Sequence, residues 1–149
     1  MKINKTVSLE TAKLLVEKGI DLSKETKYGY AELCAVKIEL IEIKDIKDYI
    51  FWQNHKVTNL FAAPDIPELL AELPCVLFID TKQWSLSIGK FGNGYGVFYM
   101  NYGSTEVYPK QFHHKELVEA LAQALIWVKE RGNDMRGQVT DSTVILPVK

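Results

Sequence analysis

The most evident chemical motif of the chain is the glycine-rich run Gly92-Asn-Gly-Tyr-Gly96. A phosphate-binding glycine loop follows a strand and opens a helix whose first N–H groups point at the phosphate. Here a strand-like segment follows the run, and Asn-Gly is a preferred pair in tight turns between strands. The run therefore predicts a hairpin, with phosphate binding as the less favoured alternative.

Histidines and cysteines are the other residues that could hold a metal or act as a nucleophile. His113 and His114 are adjacent, so on a helix they would point about 100° apart and could not share a ligand face. Cys34 and Cys75 each lie in an apolar run, where a cysteine behaves as a small buried hydrophobe. We therefore predict no catalytic residue, no metal and no cofactor. The two histidines are expected to cap a helix or to lie at the surface.

Aromatic residues are the remaining signal, because eight of them fall within positions 84–112. Tyr95 and Tyr99 share one face of a predicted strand, and with Tyr102 and Trp127 they form a candidate partner surface for stacking or protein contact. The alternative is a structural role, in which a helix covers the tyrosines and their hydroxyls lie at its rim.

Composition restricts the class of protein. The chain has 149 residues, of which 47% are apolar and 25% charged, which excludes a disordered chain and suits one domain over residues 1–149. Its formal net charge is −1, and only two of its eighteen basic residues are arginines, so nucleic acid and anionic membranes are not favoured partners. It contains neither an apolar run of roughly 18 residues nor an apolar leader, so we expect a cytoplasmic protein.

Capping signals and apolar periodicity predict three helices. The first spans 9–18 and begins at the N-cap Ser8. The second begins near Asp65 and ends before Pro74, which cannot continue a helix. The third, at roughly 113–131, has apolar residues at helical spacing and is the longest.

Alternating and apolar segments between the last two helices predict an antiparallel meander. Residues 75–79 are apolar at every position, which is typical of an interior strand covered on both sides. Residues 84–88 alternate apolar and polar, as a half-exposed strand does. Residues 95–100 and 105–108 complete the meander, and Asn93-Gly94 and residues 101–103 supply its turns.

The rest of the chain is less patterned. Residues 36–43 fit a strand and residues 46–52 a helix, so residues 20–63 either complete the sheet or wrap outside it. In the tail, 132–149, the stretch 143–148 could add an edge strand. The predicted fold is α+β: an antiparallel meander of three to five strands, packed with two or three helices and ending in a long C-terminal helix.

Three stretches carry a resemblance to a known group of proteins. They are Val7-Ser-Leu-Glu-Thr-Ala-Lys-Leu-Leu-Val-Glu-Lys-Gly19, Ala63-Pro-Asp-Ile-Pro-Glu-Leu-Leu70, and the helix from His114 to Leu125. The chain resembles a family of small uncharacterised proteins encoded on phages and mobile elements of gut Bacteroidetes. It departs from that family at Ala71-Glu-Leu73, where a Trp-Leu-Arg ending is usual. The resemblance implies this element order and a mobile-element origin, and no activity.

Three functions remain open. The first is a non-catalytic accessory or interaction protein that associates with itself or with a protein partner. The long helix supports it, because Val118, Ala122, Ile126 and Trp127 extend its apolar surface beyond one stripe, to be covered by a second layer of the chain or by another subunit. The second is a weak nucleic-acid-binding module, since 66–131 has the αβββα order of a double-stranded-RNA-binding domain. The third is a small-molecule-binding protein or enzyme of unknown class.

Overall fold

The chain folds as two compact units, residues 1–68 and 69–149, each described here by itself. The structure, a computed structural model, describes residues 6–33, 37–43, 57–79, 82–101, 107–133 and 143–146. Its helices are α1 (Leu9–Glu17), α2 (Ile66–Glu72) and α3 (Leu117–Asn133). Its strands are β1 (Tyr28–Leu33), β2 (Lys37–Glu42), β3 (Val57–Ala62), β4 (Val76–Ile79), β5 (Lys82–Phe91), β6 (Gly94–Asn101), β7 (Val107–His114) and β8 (Thr143–Leu146). The predicted α+β class and long C-terminal helix are confirmed.

The first helix has the predicted ends. The Ser8 side chain accepts a hydrogen bond from the backbone N–H of Thr11, which satisfies one of the donors that a helix start leaves open. Gly19 follows with a φ of 78°, a left-handed conformation that glycine adopts at little cost. Between them, Ala12 and Leu15 are buried. The helix over 9–18 is thus confirmed to within one residue.

A three-stranded antiparallel sheet, in the order β2-β1-β3, accounts for the region that the sequence left open. β1 lies in the centre, and alternate residues along it are buried. Ala31 and Leu33 form the centre of a small apolar cluster, against which Ile41 and Leu60 pack. The described residues within 20–63 therefore do not complete the meander, because their strands form a separate sheet. The predicted helix at 46–52 lies outside the described residues.

The second unit contains the predicted meander. β4 to β7 pair antiparallel with their neighbours, and β8 adds a parallel partner at the edge beside β4, giving the order β7-β6-β5-β4-β8. Helix α3 packs on β6 and β7. We call the side that carries Val97, Tyr99 and Phe112, all buried, the helix-covered face. On the helix, Leu121 and Leu125 are fully buried.

The third helix starts later than predicted. His113 and His114 continue β7, where they pair with Gly96 and Tyr95, so α3 begins only at Leu117. The Nδ1 atom of His114 accepts the backbone N–H of Glu116 at 2.9 Å, which matches the expected capping role of a histidine at this position. Pairing with β6 holds these residues extended, although the helical pattern begins nearby.

The hairpin between β5 and β6 is confirmed, but its turn lies one residue earlier than predicted. Phe91 pairs with Gly94, so Gly92 and Asn93 are the two central turn residues. Gly92 has a φ of 56°, which lies in the left-handed region that the favoured two-residue hairpin turns require. Because a strand follows the glycine-rich run, no helix start is available there to bind phosphate.

Two predictions, one about β4 and one about the cysteine before it, were wrong. β4 is interior to its sheet, and Leu77 is fully buried, whereas Phe78 on the other face is 37% exposed. Apolar residues on both faces therefore do not mean that both faces are covered here. Cys75, expected to be a small buried hydrophobe, precedes the strand and is exposed, while Cys34 lies outside the described residues.

Candidate interaction surfaces

One residue of the partner surface predicted from the sequence, Tyr99, lies in the core. Tyr95 and Tyr99 do share a strand face, but it is the helix-covered face, and Tyr99 is fully buried. Its hydroxyl donates a hydrogen bond to the Pro74 carbonyl at 2.8 Å. Burial, with a smaller effect from Cys75, raises the pKa of Tyr99. Tyr99 is therefore not part of a partner surface, because α3 packs on its face.

The other three residues of that candidate surface have different positions. Tyr95 is half-buried, and Tyr102 lies outside the described residues. Trp127 is half-buried on α3, with its ring centre 6.1 Å from that of Phe112 and 5.6 Å from the guanidinium carbon of Arg131. A side chain held between a ring and a cation in this way is anchored within the chain.

The wide apolar surface of α3 is covered by the chain itself. Val118, Ala122 and Ile126 are all buried, so they require no second subunit. Of the two explanations left open by the sequence, a second layer of the same chain is therefore the one observed. Large apolar side chains that remain exposed lie elsewhere: Leu14, Val16, Leu70, Phe78, Ile88 and Phe91.

Two of these exposed residues share the second face of the five-stranded sheet, opposite the helix-covered face. Phe78 lies beside Gln83 across one strand pair, and Phe91 lies beside Gly94 across another. The described side chains of this face include no aspartate, glutamate, lysine or arginine, so we name it the uncharged face. Its described members are Val76, Phe78, Gln83, Ser85, Ser87, Gly89, Phe91, Gly94, Gly96, Phe98, Met100, Gln111 and His113.

The Phe91 ring lies over two glycines on this face. Gly89 and Gly96 are directly opposite each other in β5 and β6. A Cβ atom on Gly89 would lie 2.6 Å from the Phe91 ring, and one on Gly96 would lie 2.9 Å from it, so the ring occupies the space that side chains would need. Phe98 packs at its side, with the ring centres 6.3 Å apart. The sequence presented Gly96 only as part of a glycine-rich hairpin run, whereas the cross-strand register shows that it and Gly89 leave room for the Phe91 ring.

Two carboxylates, Asp65, which is buried, and Glu68, which is half-buried, lie at the start of α2 and have a structural role. The Glu68 side chain accepts the backbone N–H groups of Asp65 and Lys27, each at 2.9 Å, and Asp65 Oδ1 accepts the N–H of Glu68 at 3.0 Å. This reciprocal pair is a capping box, as the predicted start at Asp65 implies. Burial raises the pKa of Glu68, and the nearby Asp65 charge adds to that effect.

The described part of the chain offers no other chemical centre of a familiar kind. Within it, no three His, Cys, Asp or Glu side chains come together as metal ligands would. None of its helices combines the length and apolar character that crossing a bilayer requires. No protein-family model matches the chain, and no curated protein or solved structure shows significant similarity to it. The exposed surfaces of the protein are therefore the basis for its proposed function.

Proposed function

We propose that this protein is a non-catalytic interaction protein that associates with a second copy of itself through the uncharged face. The observation that carries the proposal is the exposure of Phe78 and Phe91, 37% and 40%, on a sheet face whose described side chains include no charged residue. Charged residues make up 25% of the chain, so their absence from this set of positions is unusual for a surface facing water.

The charge pattern is the reason for choosing a second copy as the partner. Two identical faces that carry charges of one sign would bring like charges together, which costs free energy at a two-fold contact. An uncharged face meets its own copy without that penalty, and each copy brings a phenylalanine ring already packed over the Gly89–Gly96 pair and beside Phe98. Association through a preordered ring loses less side-chain entropy than association through a mobile one.

The proposal also includes the origin of the protein and its location in the cell. The resemblance of residues 7–19, 63–70 and 114–125 to mobile-element proteins supports a phage or mobile-element origin. The exposed, unpaired thiol of Cys75 suits a reducing compartment and so supports the cytoplasm. We therefore propose an accessory role in the cytoplasm, in which the assembled form is the active one.

The test compares two lysine substitutions on one strand. Phe91 and Ile88 are 40% and 42% exposed in β5, but Phe91 lies on the uncharged face and Ile88 on the opposite one. Native mass spectrometry and sedimentation over a wide concentration range are expected to show a concentration-dependent dimer for the natural chain and for Ile88→Lys, and a monomer for Phe91→Lys. Thermal unfolding confirms that both variants are folded.

Two results would reject self-association through this face. One is a natural chain that stays monomeric at every concentration. The other is a dimer that Phe91→Lys and Ile88→Lys weaken equally, which would assign the contact to another surface.

The nucleic-acid alternative keeps one observation in its favour. Between α2 and α3 the second unit has only antiparallel strands, β4 to β7, which is the predicted helix–meander–helix order with four strands. This candidate function predicts binding of duplex RNA that weakens steeply as salt rises. Absence of binding at low salt would reject it and leave the first proposal intact.

A further inference from the structure

The first unit contains a cavity of about 440 Å³ between α1, the loop that follows it and β3. A volume of this size lies within the range of small-molecule sites. Its wall is mainly aliphatic and includes both buried and exposed side chains. Members of that wall are Ala12, Leu15, Val16, Ile20, Leu22 and Leu60.

The local sequence explains why this space exists. Leu60 and Ala62 alternate with Phe61 along β3, so the first two face the cavity while the Phe61 ring lies on the other face, 5.6 Å from the Lys13 ammonium group. Ala12 and Ala62 contribute side chains too short to fill the space between helix and strand.

One end of the cavity is polar. Asp21 and Ser23 lie in the loop after α1, and Asp21 Oδ1 accepts both the backbone N–H of Ser23 at 3.0 Å and its hydroxyl at 2.7 Å. These two bonds, with a smaller effect from Lys24, lower the pKa of Asp21 below its ordinary value. The cavity rim thus presents a carboxylate that is ionised at neutral pH and oriented by its neighbour.

We propose that this cavity binds an unbranched aliphatic amine, with the hydrocarbon chain against the aliphatic wall and the ammonium group at the Asp21 carboxylate. The wall supplies affinity through apolar burial, which is not directional. The rim supplies selectivity, because a carboxylate attracts a cationic head group and repels an anionic one of the same length. At about 30 Å³ for each water-sized group, the volume holds roughly ten to fifteen heavy atoms. Decylamine is a suitable probe.

Binding is measured by isothermal titration and by methyl NMR shifts of Leu15, Val16 and Leu60, at probe concentrations below micelle formation. A length series of octylamine, decylamine, dodecylamine and longer amines tests whether the aliphatic wall supplies the affinity. Decanoate tests whether the rim prefers a cationic head group to an anionic one. Each added methylene is expected to tighten binding about threefold to fourfold until the chain fills the cavity, after which affinity levels off. Decylamine is expected to bind about fivefold tighter than decanoate, since the carboxylate at the rim is exposed and screened by water.

Three variants test whether the amine binds in this cavity and not elsewhere on the protein. Val16→Trp places a bulky ring at the wall, and its matched control Leu14→Trp adds the same ring on the same helix outside the cavity lining. Val16→Trp is expected to weaken decylamine binding at least tenfold, and Leu14→Trp to leave it unchanged. Asp21→Asn is expected to equalise decylamine and decanoate.

Several outcomes would overturn the proposal. These are equal affinities of the natural chain for decylamine and decanoate, an affinity that keeps rising with chain length, an equal effect of the two Trp variants, and no binding of any amine. The site is independent of the proposed self-association, since all its residues lie in the first unit and the uncharged face lies in the second. Phe91→Lys is therefore expected to bind decylamine like the natural chain, whether or not a dimer forms.

Discussion

The buried hydroxyl of Tyr99 provides the most direct test of its assignment to the core. Tyr99→Phe removes the donor of the 2.8 Å bond to the Pro74 carbonyl and keeps the ring that packs under α3. A buried acceptor that loses its partner costs about 1–3 kcal/mol, and we expect a loss of about 2 kcal/mol in the free energy of unfolding. For a chain of this length that corresponds to a melting temperature lower by about 4–8 °C.

The assay is urea unfolding followed by tryptophan fluorescence, with calorimetry for the melting temperature. Tyr95→Phe is the matched control, because Tyr95 lies on the same face but is only half-buried, and its change is expected to stay within about 0.5 kcal/mol. A second signature appears at high pH. Since burial raises the pKa of Tyr99 above its ordinary 10.0, the folded state keeps this proton longer than the unfolded state, and stability falls as pH rises past 10.0.

Tyr99→Phe has no hydroxyl to titrate at this position, so its stability does not fall in this way at high pH. The difference in the free energy of unfolding between the natural chain and Tyr99→Phe should therefore shrink as pH rises. Equal losses for Tyr99→Phe and Tyr95→Phe, or a Tyr99→Phe variant as stable as the natural chain, would refute the assignment of Tyr99 to a hydrogen-bonded core position.

Two further predictions concern the glycine pair and the capping box. Gly89→Ala places a Cβ 2.6 Å from the Phe91 ring, so urea unfolding is expected to show a loss of about 1 kcal/mol. The same substitution in a Phe91→Ala background should cost nothing, and an undiminished cost there would contradict the packing argument. Glu68 has a raised pKa in the folded state, so it binds its proton more tightly there, and stability falls as pH rises from its ordinary 4.5 through the raised value. Glu68→Gln should flatten that part of the stability profile, and an unchanged slope would assign it to other groups.

Local signals were sufficient for the helix bodies. Ser8, Gly19 and Asp65 carry side-chain or backbone properties that act within a few residues, so their positions predicted helix ends correctly. The start of α3 was wrong because His113 and His114 are extended by pairing with β6, a contact between residues far apart in sequence. Helical periodicity carries no information about such pairing.

The sheet of the first unit was harder to predict because one of its glycines has an unusual role. Gly29 ends a polar stretch of the sequence, residues 21–29, of the kind that is typical of turns. In the structure it lies in the central strand, and a Cβ there would be 2.7 Å from Leu60 Cδ1, so glycine allows a close approach between strands. A glycine that permits close packing looks the same in sequence as one that permits a turn.

The candidate site was only partly predictable for a related reason. Strand alternation correctly placed Tyr95 and Tyr99 on one face of β6. Alternation does not say which face a helix covers, and here α3 packs on the tyrosine side. The exposed aromatic side chain relevant to function is instead Phe91. Its exposure depends on the strand register, which pairs Gly89 with Gly96.

The parallel pairing of β8 with β4 has a consequence for how the chain reaches its native state. Val76 lies beside Thr143, so the whole meander and α3 separate the two partners along the chain. Contacts of such long separation form late, because closing the intervening loop costs entropy before any hydrogen bond is gained. Until then β4 presents unpaired backbone groups. The strand Thr143–Leu146 of a neighbouring molecule could pair with those groups in the same register, so we expect crowded refolding to produce strand-exchanged dimers at this edge.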